Sequence, residues 1–316
     1  MQLTDEQTAR IAASLTPLWP EAGRLGLAVS GGPDSLALLL LAAQALPGRV
    51  AAATVDHGLR AESAAEADFV AGICASLGVP HQTLTVHVAE GNVQAQARTA
   101  RYAALEAWCA AEGLSALATA HHADDQAETL LLRLNRASGV AGLAGVRARG
   151  RVPGARLPLL RPLLDWRRAE LEAVVAEAGI EPVRDPSNVD ERFDRVRIRQ
   201  ALVGADWLKV EAVAASAAHL ADADAALDWA AAREWADCVE TGGLGAIYRP
   251  SAPRAIALRV IARVLRDLGE AEPRGSALAA LFDGLVQGKT SSIGALVVRP
   301  ARDGWHFMPA PRRRNS

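Results

Sequence analysis

The sequence predicts an α/β protein, a doubly wound parallel sheet followed by a second, smaller, mainly helical C-terminal domain. Three observations carry that expectation. Short apolar runs alternate with longer segments of helical period from residue 25 onward. A glycine pair separates the first apolar run from a leucine-rich segment. Each cluster of polar, chemistry-bearing residues follows directly on an apolar run.

Taken in order, residues 1–22 read as a short helix and a turn. Strands are predicted at 25–29, 50–55, 82–86 and 116–119, and helices at 35–45, 62–77, 93–112 and 123–135. Repeated strand–helix units imply parallel pairing with helices on both faces, and such sheets bind ligands outside the carboxyl ends of their strands. A glycine-spaced loop follows at 135–146. Next come Arg147, Arg149, Arg151, Arg156, Arg161, Arg167 and Arg168, with Asp165 the nearby acid. Beside a nucleotide site, that run reads as a track for a phosphate backbone. A helix over 166–179 leads to Arg184-Asp185-Pro186-Ser187-Asn188, then Phe193, Arg195, Arg197 and Arg199. From about residue 212 the composition turns alanine-rich, with helices expected at 212–239, 252–268 and 275–286 and Trp229 and Trp235 assigned to the core. Short strands at 292–298 and 304–307 close the chain. The domains are therefore placed at 1–210, for chemistry, and 211–316, for substrate docking. The tail Arg312-Arg313-Arg314 offers a weak RNA contact.

Composition narrows the function classes. Of 316 residues, 50% are hydrophobic and 22% charged, enough apolar material for a large core. A formal net charge of −2 argues against indiscriminate coating of nucleic acid and leaves room for local basic patches. Cys74, Cys109 and Cys238 are widely spaced with no Cys-x-x-Cys, which excludes a disulfide scaffold and suits a reducing cytosol. The first ten residues show no signal-peptide core, and the apolar stretch 36–46 is too short to span a bilayer, so no membrane partner is expected. Lys209 and Lys289 are the only lysines. A kinase-type phosphate loop, which needs one, is therefore absent from the N-terminal half. The near miss ending in Gly288-Lys289-Thr290 has one residue too few between its glycines and no leading strand.

Four motifs carry chemistry. Ser30-Gly31-Gly32-Pro33-Asp34-Ser35 joins a strand to a helix, the layout of a phosphate-binding loop. Pro33 fits the first helical turn, leaving the N–H groups of Gly32, Asp34, Ser35 and Leu36, with the Ser30 and Ser35 hydroxyls as two further donors. Asp56-His57-Gly58-Leu59-Arg60 follows the second strand, where an acid often handles an adenosine ribose. Gln94, Arg98 and Arg101 share one helical face beside Tyr102, and the two arginines are the cations at hand for a triphosphate or a nucleic-acid phosphate. His121-His122-Ala123-Asp124-Asp125-Gln126-Ala127-Glu128-Thr129 opens a helix, with Asp125, Glu128 and Thr129 projecting together. A catalytic or Mg²⁺-linked role fits that cluster better than a metal cage, because no second histidine or cysteine cluster completes one.

Together these strings resemble the N-type ATP pyrophosphatases (PP-loop family) and, within them, tRNA(Ile)-lysidine synthetases. The resemblance rests on Ser-Gly-Gly-Pro-Asp-Ser, Val-Asp-His-Gly-Leu-Arg, Ala-Arg-x-x-Arg-Tyr at 97–102 and His-His-Ala-Asp-Asp-Gln-Ala-Glu-Thr. It also takes in Arg161-Pro162-Leu163, Asp185-Pro186-Ser187-Asn188 and Arg195 to Arg199, with Val196 where the family usually carries asparagine. It is strong over about residues 24–200 and weaker beyond, and it implies one C-terminal domain. It implies adenylation of the wobble cytidine of a CAU-anticodon tRNA(Ile) by ATP, with Mg²⁺ and loss of pyrophosphate. Attack by the ε-amine of L-lysine then follows. Catalysis would fall to Asp34, Arg101, Asp125 and Glu128; nucleotide binding to residues 30–35 with Asp56 and His57; metal binding to Asp34. Substrate and tRNA binding would fall to Arg98, His121, Asp124, Thr129, Arg161, Arg195, Arg197 and Arg199. Free lysine has a pKa near 10.4, so deprotonating it at pH 7 costs about 4.6 kcal/mol, and a carboxylate must take or relay that proton. A homodimer is left open. The alternative is another PP-loop tRNA-modifying enzyme, such as a tRNA thiolase, although no paired cysteines are present for it.

Overall fold

A computed structural model describes residues 3–20, 23–58, 63–86, 93–183, 194–243, 245–271, 273 and 275–310. The four predicted apolar runs form β1 (Leu25–Ala28), β2 (Val50–Asp56), β3 (His81–Thr85) and β4 (Ala116–Ala118). Two strands not predicted, β5 (Arg149–Arg151) and β6 (Pro158–Leu160), extend the sheet to the order β3-β2-β1-β4-β6-β5. Only β5 is antiparallel to its neighbour. Part of the arginine track is therefore an edge hairpin. Three-residue strands carry too little periodicity to stand out in a sequence.

The helices of this region are α1 (Asp5–Leu18), α2 (Pro33–Ala45), α3 (Ser63–Ser76), α4 (Val93–Ala111), α5 (Ala123–Asn135), α6 (Val140–Leu143), α7 (Arg168–Glu177), α8 (Asp194–Val203) and α9 (Val210–Cys238). Helix α2 has no polar face: every residue from Ser35 to Ala42 is buried. It is enclosed by β1 and β2 on one side and by α1 and α7 on the other. The strands alternate accordingly. Leu25, Leu27 and Ala52 join the α2 layer, whereas Ala51, Ala53 and Leu117 meet Tyr102, Leu105 and Trp108 of α4 on the opposite face. Each fully buried leucine contributes roughly 1.5–3 kcal/mol. Gly26 is required by this packing, because a Cβ there would lie 2.9 Å from the Trp108 ring and 3.0 Å from Cys109 Sγ.

The strand order positions the site. The chain moves outward from β1 through β2 to β3, then crosses back to place β4 on the other side of β1. The connections leaving β1 and β4 therefore open into the same crevice at the carboxyl end of the sheet, the usual ligand position in such folds.

The chain divides into two compact units, Met1–Ala221 and Asp222–Ser316, and the division expected after residue 210 falls where α9 begins. The second unit holds the end of α9, helices α10 (Arg254–Asp267) and α11 (Gly275–Val286), and a five-stranded antiparallel sheet. That sheet, in the order β7-β8-β11-β10-β9, is made of β7 (Val239–Gly242), β8 (Gly245–Tyr248), β9 (Ser291–Ile293), β10 (Leu296–Ala301) and β11 (Gly304–Pro309). The single strand expected at 292–298 is two, broken at Gly294, whose φ of +56° turns the chain. Trp235 packs against the core of this unit, but Trp229 does not and is 65% exposed. Alanine on every side of α9 leaves no periodicity from which to choose its buried face. Among the described residues no helix is long and apolar enough to cross a membrane.

Candidate active site

The loop after β1 is shaped by its own side chains. Gly31 has φ +83°, and its carbonyl accepts the Val183 N–H at 2.9 Å. Gly32 is the extended N-cap residue of α2 and Pro33 occupies the first turn. The Ser35 hydroxyl accepts the Ser30 N–H (3.1 Å) and donates to the Gly32 carbonyl (3.0 Å), with Ser30 Oγ 3.2 Å away. Leu36 N–H also donates to Gly32 C=O, at 3.0 Å. Two expectations are thereby corrected. The serine hydroxyls brace the loop rather than standing ready as donors, and Leu36 belongs to the helical ladder. The amides of Gly32, Asp34 and Ser35 remain for an anion, at the positive end of α2.

The loop after β4 delivers the acids. His122, fully buried, is the N-cap residue of α5, with its N–H donating to Asp125 Oδ2 at 3.2 Å. Its ring is surrounded by carboxylates: Nε2 lies 3.5 Å from both Asp34 Oδ2 and Asp125 Oδ2, and Nδ1 lies 3.6 Å from Asp124 Oδ2. These are ion contacts slightly too long for tight hydrogen bonds. Burial lowers the imidazole pKa, but Asp124, Asp34 and Asp125 outweigh it and raise it to about 9. The phosphate loop and the acid cluster are thus joined through one imidazolium. Nothing in the local pattern sets His122 apart within its motif; the one available signal is a histidine among three acids.

The two adjacent aspartates differ. Asp124 accepts from Arg168 N–H at 2.8 Å and from the Arg167 guanidinium at 3.3 Å. Burial pushes its pKa up, but His122, Arg167 and Arg168 hold it far below the ordinary carboxylate range. Asp125 instead faces Asp34 across His122. Glu128, also buried, takes a fork from Arg199 (Nε 2.7 Å, Nη2 3.3 Å), with Arg195 Nε at 3.6 Å. Arg195 also donates to Thr129 Oγ1 at 3.2 Å. Because residues 194–203 are helical, Arg195 and Arg199 share the face toward α5, while Arg197 pairs with Asp194 and is 65% exposed on its side chain. Val196 is buried.

Basic side chains also act on this loop. Arg98 and Arg101 of α4 each cover the Tyr102 ring at 5.1 Å. The Arg161 guanidinium donates to Arg147 C=O at 2.6 Å; burial first, and then Arg98, lower its pKa. His121, bonded to Thr119 Oγ1 at 3.0 Å, is neutral: burial lowers it to about 4, assisted by Arg161, Arg195 and Arg101 and opposed by Asp125. His57 is likewise lowered by burial and by Arg101. One carboxylate oxygen of Asp56 closes a turn by accepting Gly58 N–H at 2.8 Å. Arg60, residues 184–188, Phe193, Arg312, Arg313, Arg314 and the Gln94 side chain lie outside the described residues.

A doubly wound sheet with a phosphate loop at its reversal point defines the class, and a family model described as a PP-loop domain matches residues 3–205. The tRNA(Ile)-lysidine synthase of Novosphingobium aromaticivorans is 52% identical over 298 residues, covering 93% of this chain and 91% of that protein. That of Rhodopseudomonas palustris is 37% identical, covering 99% of both. The chain belongs to the tRNA(Ile)-lysidine synthase family. Among solved structures it is similar to U34-tRNA thiolase NcsA from Methanococcus maripaludis, with TM-score 0.55 and 15% identity over 68% of this chain and 76% of that one, a likeness of fold alone. Cys74 and Cys109 are buried, and burial pushes their thiols up to about 11 and about 12, so neither is poised for thiol chemistry.

Proposed function

We propose that this chain makes lysidine at the wobble cytidine of a CAU-anticodon tRNA(Ile), in two steps at one crevice. In the first, the cytidine C2 oxygen attacks the α-phosphorus of ATP and the bond to the β-phosphate breaks, releasing pyrophosphate. In the second, the ε-nitrogen of L-lysine attacks C2, the C2–O bond breaks to release AMP, and the nitrogen loses a proton. The product reads AUA instead of AUG. The reaction belongs in the cytoplasm, where tRNA, ATP and free lysine meet.

The observation that carries this reading is His122, which reaches Asp34 of the phosphate loop and Asp125 of the acid cluster at 3.5 Å each. The amides of Gly32, Asp34 and Ser35 grip the outer phosphates. Arg101, together with Arg98 and Arg161, stabilises the charge that develops as the leaving group departs. Asp34 Oδ1 is buried without a hydrogen-bond partner among the described residues, which fits a hard cation or its water. Asp34 would hold a Mg²⁺ ion there, which would supply neutralisation of phosphate charge.

The acids divide the second step. Asp125 holds the lysine ammonium and takes its proton. Glu128 orients Arg195 and Arg199, since both of its oxygens are engaged by those guanidiniums. The test follows pyrophosphate release with tRNA, lysine and ATP omitted in turn. Release without a CAU tRNA, or no lysidine in the product, would sink the proposal.

A further inference from the structure

Helix α8 runs antiparallel to α5. Asp194 pairs with Arg136 near the C-terminal end of α5, Arg195 and Arg199 meet Thr129 and Glu128, and Leu202 packs with Ala123 and Ala127. The chain therefore leaves α8 at the end of α5 that carries Asp124 and Asp125. It enters α9 at Val210, buried in the same small cluster, and Glu211 pairs with Arg167, which holds Asp124. The connection 204–209 is pinned to the acidic end of α5 on both sides. It is also braced within, by Ala205 N–H to Leu202 C=O (3.2 Å) and Leu208 N–H to Ala205 C=O (3.0 Å).

On this braced connection Trp207 is 79% exposed and Val203, just before it, 87%. Trp207 has no ring or hydrogen-bond partner among the described residues. Two side chains are far less than the roughly 800 Å² per partner that a stable protein interface buries, but an indole is the size of one base. Lys209, exposed beside it, supplies a cation for a phosphate. A base delivered to the acids must leave its stack, and its neighbours then need new surfaces on which to stack.

We infer that Trp207 is a stacking platform for an unpaired nucleobase flanking the reacting cytidine. This rests on the tRNA reading above. Trp207→Ala raises KM for the tRNA about tenfold or more, the range seen when a base-stacking aromatic is truncated. It leaves kcat at saturating tRNA, KM for ATP and thermal stability unchanged. Trp207→Phe recovers most of the affinity and Trp207→Leu does not, because only the former keeps a π face. A KM for tRNA within twofold of the parent in Trp207→Ala would overturn the inference, as would a leucine variant equal to the phenylalanine one. So would a loss that tracks a change from dimer to monomer by light scattering. If the parent protein shows no tRNA-dependent turnover, the functional reading fails by itself. Binding of a CAU stem–loop RNA then decides, and equal affinity of Trp207→Ala and parent would overturn the platform.

Discussion

The acidic and basic sides of the crevice hold neighbouring histidines in opposite states. His122 sits among Asp34, Asp124 and Asp125 and is held protonated, with its pKa raised to about 9. His121, one residue earlier, is bonded to Thr119; burial lowers its pKa to about 4, opposed by Asp125 and assisted by Arg161, Arg195 and Arg101. Burial acts on both rings; what differs is that three carboxylates surround His122, whereas Asp125 alone, offset by three arginines, acts on His121. Neighbouring residues on one loop are thus set in opposite charge states by the carboxylates that each ring meets.

Removing the acid that faces the glycine loop tests this contrast most severely. Asp125→Asn is expected to lower lysidine formation by about 10²–10⁴, the usual worth of a positioned proton acceptor, while pyrophosphate release persists. If the two products fall together, Asp125 acts in the first step instead. On the basic side, Arg101→Ala should cost about 10²–10³ in pyrophosphate release with unchanged thermal stability. An effect on KM for ATP alone would reduce Arg101 to a binding role.

Glu128→Gln sharpens the comparison within the acidic helix. It leaves Arg199 facing a neutral partner, so denaturant unfolding should show a loss of about 3 kcal/mol. ATP binding should be normal and lysine transfer less impaired than in Asp125→Asn. A defect as deep as that of Asp125→Asn, without loss of stability, would restore Glu128 as the proton acceptor.

The histidines predict opposite pH responses. For His122 the folded pKa lies above the unfolded one, so its stabilisation is full below about pH 6.5 and is gone above about pH 9, a change of about 3 kcal/mol. For His121 the folded pKa lies below, so stability falls as pH drops from about 6.5 to about 4. Unfolding of His122→Asn should flatten the alkaline slope and leave the acid slope intact; equal flattening of both would break the contrast. The smallest effect is expected from Arg197→Ala. Arg197 points away from Glu128, so kcat should stay within about twofold, the scale of an exposed ion pair.

Much of this protein was legible in local pattern. The alternation of apolar runs with helical segments, the glycine loop and the acid-rich helix start are written within windows of a dozen residues, and helix 123–135 is found at its predicted bounds. Strands β5 and β6, the hairpin of β7 and β8 and the exposure of Trp229 were not legible, because three- and four-residue strands and an all-alanine surround carry no period. The sequence alone determined which residue types could meet phosphate and amine. Only the tertiary structure decided which of them do meet. The reversal of strand order at β1 brings Asp34 and Asp125 to one imidazole, and the antiparallel course of α8 places two arginines on Glu128. Such pairings join residues some seventy to ninety positions apart, and chain topology, which no local pattern encodes, sets them.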